Sequence, residues 1–146
     1  MIRKIDSGDK EQYMLFTEHF YNSDAVMHPV PEQFRLNTWE ELMRSDEYLE
    51  CYFLEEDGIA KAFLLLAYTF SQEAGGKVAW IEEIFVEPEY RNKGLGRQFF
   101  TFIEQNIEPK VKRIRLEVEP DNYGAKKLYE EKGYRFIPYE QMLKGN

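Results

Sequence analysis

Three basic residues and two glycines are concentrated in one short segment, at the point where a predicted strand gives way to a predicted helix. Backbone N–H groups at a helix start have no partner inside the helix, and the helix dipole makes that end positive. Gly94 and Gly96 carry no Cβ atom, so an anion can approach their amides closely. We therefore predict a phosphate-binding loop at this position. The segment reads Arg91, Asn92, Lys93, Gly94, Leu95, Gly96 and Arg97.

The order of residues in this loop excludes two common nucleotide sites. A P-loop requires a Lys followed by Ser or Thr directly after its last glycine, and neither glycine here has that pair. A dinucleotide-binding fingerprint requires a third glycine at the position of Phe99. The phosphate that fits this loop therefore belongs to another class of ligand.

The elements that position the loop follow from the hydrophobic periodicity of the chain. Apolar residues between 95 and 107 recur on one stripe of a helix, and Asp57 with Gly58 predicts a hairpin turn. The predicted strands are 2–5, 49–54, 59–70, 77–86 and 114–118, with a closing pair at 134–136 and 141–143. The predicted helices are 9–20, one capped by Asn37 or Thr38 that runs through Met43, 95–107 and 122–132.

This order predicts an α/β fold with a mixed sheet, antiparallel in its front half and followed by a βαβ unit. With 146 residues, we expect a single domain over residues 1–146. The net charge of −8 disfavours nucleic acid as a partner, and one cysteine, Cys51, without a Cys/His cluster predicts no metal. We expect a cytoplasmic protein with no membrane partner, because the start lacks a signal-peptide pattern and the chain lacks a long apolar run.

Two motifs together resemble the signatures of the GNAT superfamily of N-acetyltransferases. Arg-x-x-Gly-x-Gly, placed after a strand and Val86-x-Pro88, resembles the pyrophosphate-binding signature of that family. The second signature is a helix with Asn, Ala and Leu-Tyr before a Gly-aromatic pair. It is matched by Asn122, Ala125, Leu128, Tyr129, Gly133 and Tyr134. The resemblance extends over roughly residues 77–136, whereas the front third matches only in its pattern of strands and helices.

The resemblance implies the family's acyl-CoA N-acyltransferase fold, with a central mixed sheet of six or seven strands and about four flanking helices. It also implies acetyl-CoA as the co-substrate, bound where two parallel strands separate, and no metal. Phe85 and Val86 would offer backbone groups to the pantetheine arm, and residues 91–97 would surround the pyrophosphate. Asn122, Ala125 and Tyr129 share one helix face and would complete the cofactor site.

The resemblance further implies that an amine attacks the thioester directly, with a base to take its proton and an acid to protonate the leaving thiolate. Tyr129 is the expected acid. Successive strand residues point to opposite faces unless a bulge intervenes, so at most one of Glu82 and Glu83 should face the acceptor. The resemblance favours Glu82, which stands at the position of the proposed base in polyamine and aminoglycoside acetyltransferases, and Glu83 is the reserve. Either carboxylate could instead form a structural ion pair.

The expected acceptor is a primary amine of a small cationic molecule, such as a polyamine, an aminoglycoside or an amino-acid derivative. His28 and Tyr21 are expected to line the acceptor site together with Glu82. Two alternatives remain open: acetylation of a protein lysine or N-terminus, and a non-catalytic acyl-CoA sensor. Because many relatives dimerise, a homodimer is a further hypothesis.

Overall fold

The computed structural model describes residues 1–23 and 28–146, which form one mixed sheet with helices on both faces. The strands are β1 (Ile2–Lys4), β2 (Leu49–Glu56), β3 (Ile59–Ser71), β4 (Gly76–Val86) and β5 (Arg113–Leu116). The helices are α1 (Lys10–Tyr21), α2 (Glu32–Arg44), α3 (Leu95–Asn106) and α4 (Tyr123–Glu131).

The strands lie side by side in chain order, and each neighbouring pair is antiparallel except β4 and β5. The parallel pair needs a crossover connection, and α3 supplies it. Between β2 and β3 the chain turns at Asp57 and Gly58, whose φ values of 54° and 75° fit a tight hairpin. The predicted mixed sheet, the βαβ unit and the hairpin are therefore confirmed.

Helices on the two faces of the sheet create two apolar cores, and β3 contributes to both. Phe63 and Leu65 pack towards α1 and α2, whereas Leu64 and Leu66 pack towards α3. This burial on both faces explains the unbroken apolar run in β3. The first core is rich in aromatic rings: Tyr13, Phe16, Phe20, Trp39, Phe53, Phe63 and Phe85.

The second helix begins earlier than its predicted caps, Asn37 and Thr38. α2 starts at Glu32, directly after Pro31, and the amide of Phe34 donates to the Pro31 carbonyl at 2.9 Å. Proline has no N–H of its own to satisfy and its φ is already fixed, so it suits a helix start. The polar residues at 37 and 38 instead lie inside the helix, where Thr38 bonds back to the Phe34 carbonyl at 3.0 Å.

The described residues form five strands, rather than the six or seven that were expected. The predicted closing strands at 134–136 and 141–143 are absent, and β5 ends at Leu116, before Val118. Phe136 and Met142 are 65% and 99% exposed, so no buried face fixes this part of the chain in a sheet register. The fold nevertheless agrees with the predicted class. Within the described chain, no helix has the length and apolar character needed to cross a membrane.

Candidate active site

A β-bulge in β4 decides which way its two carboxylates face. Ile81 lies opposite Leu66 and Glu83 opposite Leu65, so Glu82 is the extra, unopposed residue. Before the bulge, the odd-numbered Ile81 packs towards α3; after it, the odd-numbered Phe85 packs towards α1 and α2. The bulge therefore turns Glu83 to the side of α1 and α2.

The parallel strands separate at the same point. The last pair between β4 and β5 is Ile81 with Leu116, so β4 continues to Val86 without β5 beside it. The amide of Glu87 donates to the Lys61 carbonyl next to β3 at 3.0 Å. Because backbone groups alternate in direction, those of Phe85 face β3 and those of Val86 face the gap. Of the two residues predicted to meet the pantetheine arm, only Val86 presents its backbone to the open side.

The segment that joins β4 to α3 leaves a continuous set of amides unpaired; we call residues 92–97 the amide loop. None of its six N–H groups donates to an acceptor among the residues that the structure describes. Asn92 and Gly94 adopt φ values of 63° and 82°, the left-handed conformation that occurs in the backbone nests that bind anions. A Cβ atom at Gly96 would meet no atom within 4 Å. The loop thus has the free donors and the open space that a phosphate requires.

The basic side chains around the amide loop are held loosely. Arg91 donates from Nε to the Val86 carbonyl at 2.9 Å, and its guanidinium lies 5.5 Å from the centre of the Phe85 ring. Arg97 pairs with Glu131 at 3.0 Å, but both side chains are largely exposed, so this ion pair contributes little stability. These cations can therefore turn to an anion at little cost.

A small cavity lies between α1, α2 and the face of the sheet that these helices cover. We call this cavity the α1–α2 pocket. It has a volume of about 50 Å³. Tyr21 donates a hydrogen bond from its hydroxyl to Oε2 of Glu83. The other oxygen, Oε1, is buried and has no partner within the described chain. The residues that line the pocket include Tyr13, Thr17, Tyr21, Arg35, Leu65 and Glu83.

The pocket changes the acidity of Glu83. Burial raises the pKa of Glu83 to about 7, the charge of Glu82 adds to the rise, and the hydrogen bond from Tyr21 opposes it. Burial and the nearby Glu83 also raise the pKa of Tyr21, which therefore remains a neutral donor near pH 7. A carboxyl group with a pKa near neutrality can take up or release a proton there.

Glu82 occupies a different environment from its neighbour. Its side chain leaves the bulge on an exposed part of the surface and does not line the α1–α2 pocket. Partial desolvation of the carboxylate raises the pKa of Glu82, and the charge of Glu117 raises it further. The geometry therefore favours Glu83, the reserve in the sequence interpretation, as the carboxylate that meets an acceptor.

Tyr129 lies in α4 and packs against the core on the α3 side of the sheet. Its ring packs 5.5 Å from that of Phe100 and 6.2 Å from that of Tyr134, and burial raises the pKa of its hydroxyl. Asn122 has a structural duty, because its Oδ1 accepts the Ala125 amide at 3.1 Å and so caps α4. The hydroxyl of Tyr129 makes no hydrogen bond within the described residues.

The structure differs from the prediction at two further residues. His28 is exposed, follows the undescribed residues 24–27 and does not line the α1–α2 pocket. Arg35 lines that pocket, and the sequence interpretation missed it because α2 was expected to begin after it. A signal existed: Arg35 lies four and seven residues before Trp39 and Leu42, on the buried stripe of the helix.

Residues 12–134 match the Acetyltransferase (GNAT) family. The chain belongs to this family. Family membership agrees with the resemblance of the two motifs and with acetyl-CoA as the co-substrate that these enzymes use.

The GNAT domain is similar to curated and structurally characterised acetyltransferases. It is 27% identical over 86 residues to the spermine/spermidine N(1)-acetyltransferase of Bacillus subtilis (strain 168), a match that covers 58% of this chain and 57% of that protein. The fold matches a "possible acetyltransferase" from Clostridium difficile 630 with a TM-score of 0.85 and 21% identity, over 100% of this chain and 97% of the other. It also matches AAC(6')-Iy in complex with a CoA-containing bisubstrate analogue, with a TM-score of 0.80, 17% identity and coverage of 100% and 97%.

Proposed function

We propose that this GNAT domain transfers the acetyl group of acetyl-CoA to a primary amine of a small molecule. The observation that carries the proposal is Glu83, a half-buried residue with a pKa of about 7 and one buried oxygen that has no partner in the described chain. It lies two residues beyond the last pair between β4 and β5, where the family binds its thioester. The proposed base therefore lies next to the proposed binding site of the acyl group.

The amide loop is the proposed site of the coenzyme A diphosphate. Its six free N–H groups, the start of α3 and the side chains of Arg91 and Lys93 supply the positive potential. Val86 would offer its backbone amide to the pantetheine arm in the gap beside β4. Asn122 and Ala125 would contribute through the start of α4. Bound acetyl-CoA supplies the activated acyl group.

In this mechanism the acceptor amine enters the α1–α2 pocket in its protonated form. The deprotonated fraction of Glu83, large at pH 7, accepts one proton, directly or through water, and frees the lone pair of the amine. The amine then attacks the acetyl carbonyl, and an N–H group in the gap stabilises the oxyanion that forms. As the intermediate collapses, Tyr129 donates its proton to the leaving thiolate, a role that fits a phenol kept neutral by burial. The nitrogen releases its second proton through water to solvent, and solvent returns a proton to Tyr129.

A small cationic acceptor agrees with three observations. The protein carries a net charge of −8, which attracts cations over a distance. The α1–α2 pocket, with a volume of about 50 Å³, has room for an amino group and the first part of its chain. One relative acts on spermine and spermidine by name, and one structural neighbour is bound to an acetylneamine analogue.

A thiol-release assay tests the proposal. Acetyl-CoA is incubated with the protein and a panel of primary amines, including polyamines, an aminoglycoside, amino acids and a lysine-containing peptide. We expect release with small amines, and calorimetry should show binding of acetyl-CoA but not of ATP. Binding of acetyl-CoA without release for any amine would favour the sensor hypothesis. Release with the peptide alone would favour a protein acceptor, and failure to bind acetyl-CoA would overturn the assignment.

A further inference from the structure

The α1–α2 pocket contains a cation as well as a carboxylate. Arg35 of α2 lines the same cavity as Glu83, yet the two groups do not form an ion pair with each other. A pocket built only for polycations would gain nothing from a guanidinium, because like charges repel the ligand. The presence of Arg35 therefore needs a separate explanation.

Contacts to α1 fix the position of this guanidinium. Nη1 of Arg35 donates to the Met14 carbonyl at 2.9 Å and to Oγ1 of Thr17 at 3.1 Å. Thr17 is itself 1% exposed, and its hydroxyl lies 3.0 Å from the Tyr13 carbonyl. One nitrogen is thus held by neutral oxygens on a rigid helix, which orients the rest of the group in advance of any ligand.

The remaining donors of Arg35 are not used by the protein. Its Nε and Nη2 groups make no hydrogen bond, and no carboxylate lies within ion-pair distance of it, among residues 1–23 and 28–146. A half-buried guanidinium without a counter-ion is unfavourable, because it has lost part of its hydration and gained no charge partner. A planar guanidinium with two free donors matches the geometry of a carboxylate.

We infer that the acceptor carries a carboxylate as well as its amine, and that Arg35 binds the carboxylate while Glu83 receives the proton of the amine. The inference rests on the proposed acetyl transfer and narrows its substrate to amino-acid-like amines. Arg35 is then a specificity-determining residue that places the amine at the base.

The test compares amino acids with the amines that remain when their carboxylate is removed. The pairs are lysine with cadaverine, ornithine with putrescine, alanine with ethylamine and phenylalanine with phenethylamine. We expect kcat/KM to favour the amino acid in at least one pair by about 10- to 100-fold, as for a charge-assisted hydrogen bond. If no carboxylate-bearing amine is turned over, or if the bare amine is preferred in every pair, the inference is wrong.

The variant Arg35→Gln should raise KM for the amino acid and so remove its preference over the bare amine, while the affinity for acetyl-CoA stays unchanged. Arg44→Gln is the matched control, because Arg44 lies on the same helix, is exposed and pairs with Glu41. Arg35→Lys should retain part of the preference, and it serves as the second variant if Arg35→Gln unfolds. An equal loss for both members of a pair would indicate a structural role and contradict the inference.

These outcomes remain separate from those of the proposed function. Thiol release with a bare amine, without any carboxylate preference, would refute only the role of Arg35. Absence of release with every amine, despite bound acetyl-CoA, would refute the proposed function as well.

Discussion

The two ends of the proposed cleft are built in different ways. The amide loop takes its donors from the main chain of six consecutive residues and is largely exposed to solvent. The α1–α2 pocket takes its groups from side chains on α1, α2, β3 and β4, and it is only partly open to solvent. One end is therefore local in sequence, and the other exists only once the fold has formed.

This difference predicts how each end responds to substitution. The amide loop should tolerate any side chain that leaves its N–H groups accessible, whereas the pocket depends on particular carboxyl, phenol and guanidinium groups. Changes in the loop should alter the affinity for acetyl-CoA and leave the pH dependence unchanged. Changes in the pocket should do the reverse.

The largest effect is expected from Glu83→Gln, which removes the proposed base but keeps the shape of the pocket. We expect kcat to fall by about 10²- to 10⁴-fold, the usual contribution of a general base. Calorimetry should give an unchanged affinity for acetyl-CoA. Glu82→Gln is the matched control and should reduce kcat by less than about tenfold. A larger loss in the control would restore Glu82 as the base.

The second-largest effect is expected from Gly96→Glu in the amide loop. The new carboxylate would occupy the open space and repel the diphosphate, at a cost of several kcal/mol, so Kd should rise at least about 100-fold. The free energy of unfolding should not fall, because a Cβ at this position meets no neighbour and an acid suits a helix start. Wild-type affinity in this variant, measured by calorimetry, would place the diphosphate elsewhere. Gly96→Ala, the smaller control, should lose much less.

A moderate effect is expected from Tyr129→Phe. The ring contacts with Phe100 and Tyr134 would remain, and the hydroxyl has no protein partner in the described chain to lose. We expect kcat to fall by about 10- to 100-fold, because a thiolate needs less help from an acid than an alkoxide does. The basic limb of the pH–kcat profile should disappear. Full turnover with an active amine would show that the acid is another group or water.

The smallest effect is expected from Tyr21→Phe, which retains the base and changes its acidity. The hydrogen bond from Tyr21 favours the carboxylate form, so its loss should raise the pKa of Glu83 above its value of about 7. Because only the deprotonated carboxylate accepts a proton, kcat/KM rises with pH through this pKa. The acidic limb should therefore move to higher pH, with less than about a tenfold loss at pH 7. If the acidic limb does not move, Tyr21 does not influence the pKa of the base.

The sequence predicted the amide loop because every part of it lies within one continuous segment. The pattern of glycines and basic residues before an apolar stripe was sufficient to predict where the free amides lie, and its phosphate ligand stays a prediction. The sequence could not show that Glu83 faces the pocket, because a bulge leaves no sign in the alternating pattern of a strand. Only the register with β3 shows that the faces change at Glu82.

The fold was predicted most accurately where each element buries an apolar face. β3, β4 and α3 have long apolar patterns, and their bounds differ from the prediction by about one residue. The prediction of the closing strands was wrong because the residues after Gly133 have a strand-forming composition but no neighbouring strand to pair with. Arg35 was missed because a proline, and not a polar cap, begins α2.

The bulge at Glu82 also limits how this cleft can diverge. One unopposed residue marks the end of contact between β4 and β5 and sets the direction of the acid next to it. Deleting or inserting a residue there would displace the proposed acyl-binding gap and turn the proposed base to the opposite side of the sheet in a single event. We therefore expect descendants of this chain to vary their acceptor by exchanging side chains on α1 and α2, while the length of β4 is retained.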